Sequence, residues 1–286
     1  MTDRACRPFN ISPAMSTVQT WPNGKRLAIY VALGLECYEF GVGCTEDILP
    51  KGQHPDFANA AWREYGNRVG GLRLIERLKH FGIPPTILLN TDLYALAPDL
   101  LAHARFHGSE IVAHGKRNSD TLTSMDPALE RTYIRDVFAA VGRHEGRPSQ
   151  GWSTPWLAHS PSTMEVLVEE RCRYILDFRF DDQPVWLETA NGRLMSIPYS
   201  SEINDSTTQV GRYAGARDFA DMIVDEFDEM LEASNDRPLV MSIVLHSFIS
   251  GQPFRRRALS HALQHIADHK ADVWLTTPAE IYAAVA

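Results

Sequence analysis

The sequence predicts an α/β protein, a (β/α) barrel or part-barrel of about seven or eight strands in a single domain. Three observations carry that expectation. Short apolar runs alternate with helix-period segments along most of the chain, which implies a parallel sheet with helical crossovers. The runs are nearly continuous in apolar residues, as strands covered on both faces must be. About eight of them fit into 286 residues, a length that one barrel fills.

The first run follows the turn Trp21-Pro22-Asn23-Gly24 and predicts a strand over residues 26–33. A loop over 41–61 leads into a helix with Leu72, Leu74, Ile75, Leu78 and Phe81 at helical spacing. Gly82 stops it, and Pro84-Pro85 precede a strand over 86–89. A helix over 97–106 precedes the run that ends on His114. A longer helix, with Leu129, Ile134, Val137, Phe138 and Val141, precedes a short strand near 151–154. Helix 163–171 leads to a strand over 174–176, and a hairpin-like segment reaches 194–198.

Phe219, Met222, Ile223, Phe227, Met230 and Leu231 form one stripe on a helix over 217–231, ahead of the most apolar strand, 239–245. Helices over 254–269 and 278–285 flank a last strand, 273–275. No linker or internal repeat interrupts the pattern. Residues 1–20 read as an N-terminal extension and 21–286 as the barrel.

Composition narrows the function. With 36 acidic against 28 basic residues the net charge is −8, so nucleic acid and anionic membrane surfaces are repelled on average. Cys6, Cys37, Cys44 and Cys172 form no CxxC pair, which argues against a disulfide framework or a thiolate zinc site. The first residues lack a secretory apolar core and no stretch is long enough to span a bilayer, so a cytoplasmic location is the expectation. Motifs of the GxGxxG, P-loop and GxSxG kinds are absent, which sets aside dinucleotide, nucleotide and serine-hydrolase chemistry.

In a barrel the chemistry collects at the strand C-terminal ends. Those positions hold Glu36, Asn90, His114, Trp152 with Ser153, Asp177, Tyr199 and His246. Glu36 is either an exposed loop carboxylate or a group aimed into the mouth; its place after a buried strand puts the two readings on an equal footing. His114 ends an apolar run and turns on Gly115, which delivers an imidazole to the rim. His246 can protonate a leaving amine or stabilise an oxyanion, and the competing reading is a structural histidine. The loop Gly251-Gln252-Pro253 can bring Arg255 or Arg256 towards the mouth, or simply start a helix. Asp181-Asp182 can divide acid and base roles, although two acids before Pro184 are also common in solvated turns. Glu36 and His114 form an incomplete metal site, since Asn118, four residues on, offers only a neutral amide.

Several motifs together resemble the polysaccharide deacetylase superfamily, the NodB-homology group, and within it the allantoinase-like branch. They are Trp21-Pro22-Asn23-Gly24, Glu64-Tyr65-Gly66-Asn67-Arg68, Glu110-Ile111-Val112-Ala113-His114-Gly115, Asp181-Asp182-Gln183-Pro184, Ile197-Pro198-Tyr199, Asn204-Asp205 and His246 with Gly251-Gln252-Pro253-Phe254-Arg255. They span nearly the whole chain after residue 20. The resemblance implies a distorted (β/α) barrel that hydrolyses carbon–nitrogen bonds. In metal-dependent members the first strand ends in a general base and then a metal-binding acid, and a His-x-x-x-His pair adds two ligands. The resemblance places Gly34 at the base position, Glu36 and His114 at ligand positions and Asn118 at the second histidine. Glycine cannot take a proton from water, and an amide is a poor metal donor.

The expected function is therefore hydrolysis of a non-peptide carbon–nitrogen bond, releasing acetate from an N-acetylated sugar or a similar amide. The alternatives are cyclic ureide hydrolysis without a metal requirement, and a barrel that binds carbohydrate without turning it over. Glu36 and His114 are expected to position or activate water, His246 to act as acid, and Asp181 or Asp182 to orient the site. Arg68, Asn118, Trp152, Pro155, Tyr199 and Arg255 are expected to face a small-molecule or oligosaccharide substrate, with Trp152 and Trp156 stacking on a ring. The cofactor is a divalent metal such as zinc, or none. Self-association is expected from the segment Glu64 to Arg68 and the loop before it.

Overall fold

A computed structural model describes residues 9–15, 18–49 and 55–286; Cys6 lies outside them. The strands are β1 (Ile11–Pro13), β2 (Leu27–Leu35), β3 (Pro85–Leu89), β4 (Glu110–Ala113), β5 (Gly151–Trp152), β6 (Tyr174–Ile175), β7 (Val185–Thr189), β8 (Gly192–Ser196), β9 (Leu239–His246) and β10 (Val273–Leu275). The helices are α1 (Phe57–Tyr65), α2 (Gly71–His80), α3 (Leu93–Leu96), α4 (Pro98–Phe106), α5 (Pro127–Glu145), α6 (Thr163–Glu169), α7 (Ala216–Ala233), α8 (Pro253–Asp268) and α9 (Pro278–Val285).

All ten strands join one sheet in the order β1-β7-β8-β6-β5-β4-β3-β2-β10, with β9 also paired to β2. Every pairing is parallel except those of β7 with β1 and β8. The parallel set therefore holds eight strands, as the alternation predicted. The hairpin-like segment is the antiparallel pair β7 and β8. On its other edge β9 meets no full ladder. Single hydrogen bonds from Val240 N to the Asp182 carbonyl and from Val244 N to the Ile203 carbonyl take that place, which is where the barrel is distorted. β1 was not foreseen; it runs against β7 and ties part of the N-terminal extension to the sheet.

β2 is central and buried along its whole length, matched by β9 over eight residues from Leu27 with Leu239 to Gly34 with His246. This register brings the ends of the two strands to one level and fixes where Glu36 and His246 emerge. The stripe on α7 packs Phe219, Ile223, Phe227 and Met230 into the same core as β2 and β9; burial stabilises by about 1.5–3 kcal/mol for each such side chain. Helix ends follow local chemistry. Asp126 accepts from the amides of Ala128 and Leu129 at the start of α5, and Gly146 ends it at φ 71°. Thr277 and Glu280 form a reciprocal cap on α9.

Candidate active site

The C-terminal ends of β2, β4 and β9 bring together Glu36 and His114, each one residue past its strand, and His246, the last residue of β9. All three are enclosed, at 2%, 5% and 8% exposure. Glu36 Oε1 lies 3.5 Å from Nε2 of His114 and 3.5 Å from Nε2 of His246. Its backbone is pinned by Asn67, whose side-chain amide donates to the Glu36 carbonyl at 2.9 Å. Asn90, at the end of β3, accepts from Cys37 N at 3.0 Å and donates to the His114 carbonyl.

Each imidazole is oriented through its other nitrogen. His114 Nδ1 donates to the Ser153 carbonyl at 2.9 Å, which fixes the ring with Nε2 towards Glu36. The turn after it requires Gly115, at φ 71°, where a Cβ would meet Pro155 Cγ at 2.6 Å and the Tyr133 hydroxyl oxygen at 2.7 Å. His246 Nδ1 lies 2.6 Å from Asp205 Oδ1. Asp205 Oδ2 also accepts from the His246 amide at 3.0 Å, the Ser250 amide at 3.2 Å and the Ser250 hydroxyl at 2.5 Å.

The electrostatics follow from this geometry. Burial disfavours a charged imidazole, but the Glu36 and Asp205 carboxylates outweigh it and push His246 up to about 10. Burial likewise raises Glu36, yet the His246 charge and the His114 hydrogen bond hold it below the ordinary carboxylate value. The centre is thus an imidazolium beside a carboxylate at neutral pH, with a second imidazole opposite.

Gly34 explains its own place in the site. A Cβ there would lie 2.7 Å from Glu36 Oε1 and 3.2 Å from His246 Cδ2. The carboxylate of Glu36 fills the space that a side chain at position 34 would take.

Around Glu36 stands a second set of groups. Its Oε2 accepts from the Tyr38 hydroxyl at 2.6 Å and from Asn118 Nδ2 at 3.0 Å. Tyr38 lies equally close, 2.6 Å, to Glu46 Oε2. Glu36, Glu46 and His246 offer one atom each within 4.8 Å of one another, donor types that suit a divalent cation. Their hydrogens do not. Asn118 turns N–H, not its carbonyl, to Glu36; flipping the amide would set its oxygen 3.0 Å from the carboxylate. Asp205 already holds the His246 ring through Nδ1, and Tyr38 and Asn118 already occupy Glu36 Oε2. These residues do not fit the metal that the deacetylase resemblance implies.

Of the other expected site residues, Tyr199 is buried and responds to the charges of Asp177, Glu36 and Asp205, which with burial raise its hydroxyl. Arg255 is half-buried beside the ring of Phe254 and close enough for Asp205 to oppose the burial that lowers it. Pro155 is buried against Gly115 and shapes the His114 turn rather than a surface for substrate. Trp152 is fully buried, donates to Thr154 and packs against Phe138, so it cannot stack on a ligand. Trp156, beyond it, is exposed.

Asp181 and Asp182 are the clear correction. Asp182 pairs with Arg179 at 2.7 Å and Asp181 with Arg237 at 3.2 Å, and the Asp182 carbonyl receives the Val240 amide near the start of β9. They lie at the opposite end of that strand from His246. Arg68 is exposed on a π-helical turn, Gly66–Gly70; its neighbour Asn67 is the residue of that turn that reaches the centre, at the Glu36 carbonyl. Asp205, Tyr38 and Glu46 were missed as site residues, although Asn204-Asp205 stood among the recognised motifs.

No family model matches the sequence. A Schizosaccharomyces pombe protein bearing a polysaccharide deacetylase name is 25% identical over 98% of this chain and 94% of its own. A Pseudomonas aeruginosa structure named for the same activity superimposes with a TM-score of 0.82 at 26% identity, covering 96% of this chain and 94% of that one. An allantoinase structure gives 0.81 at 27% identity, covering 96% and 93%. Over nearly its whole length the chain is thus similar in sequence and fold both to proteins named as polysaccharide deacetylases and to an allantoinase.

Proposed function

We propose that the chain is a hydrolase of non-peptide carbon–nitrogen bonds, of the polysaccharide deacetylase kind, releasing acetate from an N-acetylated sugar or a similar amide. The observation that carries this is the position of Glu36 Oε1, 3.5 Å from both imidazoles. A water between Glu36 and His114 loses a proton to this pair as its oxygen attacks the carbonyl carbon. His246, charged and held by Asp205, donates to the tetrahedral oxyanion and then protonates the leaving nitrogen. Asp205 is a positioning residue, fixing the ring as the acidic member of a triad does.

Hydrolysis of a cyclic ureide is the second reading. It is favoured by Gly34 and Asn118, which depart from the metal-dependent pattern, and by the likeness to an allantoinase. Both reactions need the same attack and the same protonated nitrogen, so one centre serves either. Assaying free acetate and carbamoyl products side by side separates them. Binding of acetylated oligosaccharides with neither product would instead mark a barrel that binds without turnover.

No helix among the described residues is long and apolar enough to cross a membrane. Exposed Phe40 and Phe57 stack at 5.1 Å near the mouth, in support of self-association through the loop before Glu64. Light scattering on the F57E variant tests it.

A further inference from the structure

We propose that Glu46 serves as an un-ionised carboxylic acid whose proton holds the Tyr38 hydroxyl on Glu36, making Tyr38 and Glu46 positioning residues of the hydrolytic centre. The inference rests on the amide-hydrolase reading and adds two residues to it.

The argument is a count of hydrogens. The Tyr38 oxygen lies 2.6 Å from Glu36 Oε2 and 2.6 Å from Glu46 Oε2. A phenol has one hydrogen to donate. Two ionised carboxylates at such distances would leave one oxygen pair facing without a proton, so one acid must bring its own. Asn118 Nδ2, 3.0 Å from the Tyr38 oxygen, adds a donor and relieves neither carboxylate of that requirement.

The surroundings decide which acid keeps the proton. Glu36 faces the His246 imidazolium, His114 and the Asn118 amide, all of which favour its charge. Glu46 also lies within 4.8 Å of His246, but among the described residues it makes no ion pair with it or with another cation. Arg63 is the nearby candidate, but its guanidinium donates to the Glu46 main-chain carbonyl at 2.7 Å and to Asp47 at 3.0 Å, and lies 5.0 Å from the Tyr38 ring centre. Among the described residues the side chains that hydrogen-bond the Glu46 carboxyl are Tyr38 at Oε2 and Ser206, whose hydroxyl donates to Oε1 at 3.0 Å, beside Glu46's own main-chain amide. Burial and the Glu36 charge raise it, against the weaker pull of His246.

The resulting pattern is complete. Glu46 donates to the Tyr38 oxygen, which also accepts from Asn118; the Tyr38 hydrogen is left with only Glu36 Oε2 to serve. Glu36 is held as an anion by its Oε2, and its Oε1 stays free between the two imidazoles where water is activated. Ionising Glu46 removes a donor from Tyr38 and sets two carboxylates competing for one hydrogen. The centre then loses its arrangement at a pH set by Glu46, separately from the loss of the His246 proton.

The test compares E46A, E46Q and Y38F. A glutamine amide can donate to Tyr38 and its oxygen can accept from Ser206, so E46Q is expected to recover kcat that E46A loses. Its activity should fall at high pH only through His246, near 10. Y38F should lower kcat about 100-fold, the scale of a displaced catalytic group. Infrared spectra supply a readout independent of turnover: at neutral pH the wild type should show the carbonyl stretch of a buried protonated acid that E46Q lacks. An absent band, or E46Q as impaired as E46A, overturns the proposal. A band without any hydrolysis would instead overturn the hydrolase reading and leave the protonated Glu46 standing.

Discussion

Asp205 Oδ1 lies 2.6 Å from His246 Nδ1, and the other oxygen of the same carboxylate receives the amides of His246 and Ser250. That contact sets the tautomer, the orientation and the charge of His246 together. Asp205→Asn removes the charge and reverses a donor, and is expected to lower kcat roughly 10²- to 10⁴-fold while the fold persists. Steady-state kinetics with circular dichroism on the same sample checks it.

The same pair makes stability depend on pH. His246 is raised from 6.5 to about 10 in the folded chain, so folding binds a proton. The stabilisation is fully present below pH 6.5 and is lost as pH rises through 10. The thermal midpoint should fall across that window in the wild type and fall less in His246→Gln.

Gly34 gives a steric prediction. Alanine there would put a Cβ 2.7 Å from Glu36 Oε1, and the carboxylate must move. Gly34→Ala should reduce kcat about 100-fold, and Gly34→Asp, which restores the residue type of a usual base, should fare no better. Recovery of activity in Gly34→Asp would mean that Glu36 does not hold the base's place.

Most of the fold was legible because its strands are continuous apolar runs and its helices carry 3.6-period stripes. The eight parallel strands and their order along the chain follow from that alone. β1 was not legible: three residues, Ile11–Pro13, hold their place through β7 rather than through any pattern of their own. Glu36, His114 and His246 could be found because each stands at the C-terminal end of a buried strand. Asp205, Tyr38 and Glu46 could not, since they reach the centre from loops whose paths no periodicity encodes. Asp181-Asp182 misled for a related reason: two adjacent acids look like catalytic carboxylates, and only the partners Arg179 and Arg237 show a solvated ion-pair cluster.

Trp152 separates packing from binding. It sits in the core against Phe138, so Trp152→Ala should cost about 3–5 kcal/mol of stability, read by chemical denaturation. Trp152→Phe should change KM little, whereas a stacking platform for a sugar would raise it.

The most direct test measures product release by the purified wild type and by Glu36→Gln, with acetate and carbamoyl products assayed from acetylated sugars, simple amides and cyclic ureides. The expected result is turnover of at least one amide or ureide by the wild type and a loss of about 1,000-fold or more in Glu36→Gln, in keeping with removal of a catalytic base. Equal turnover by the two proteins would contradict the assignment of Glu36 as the centre of the site.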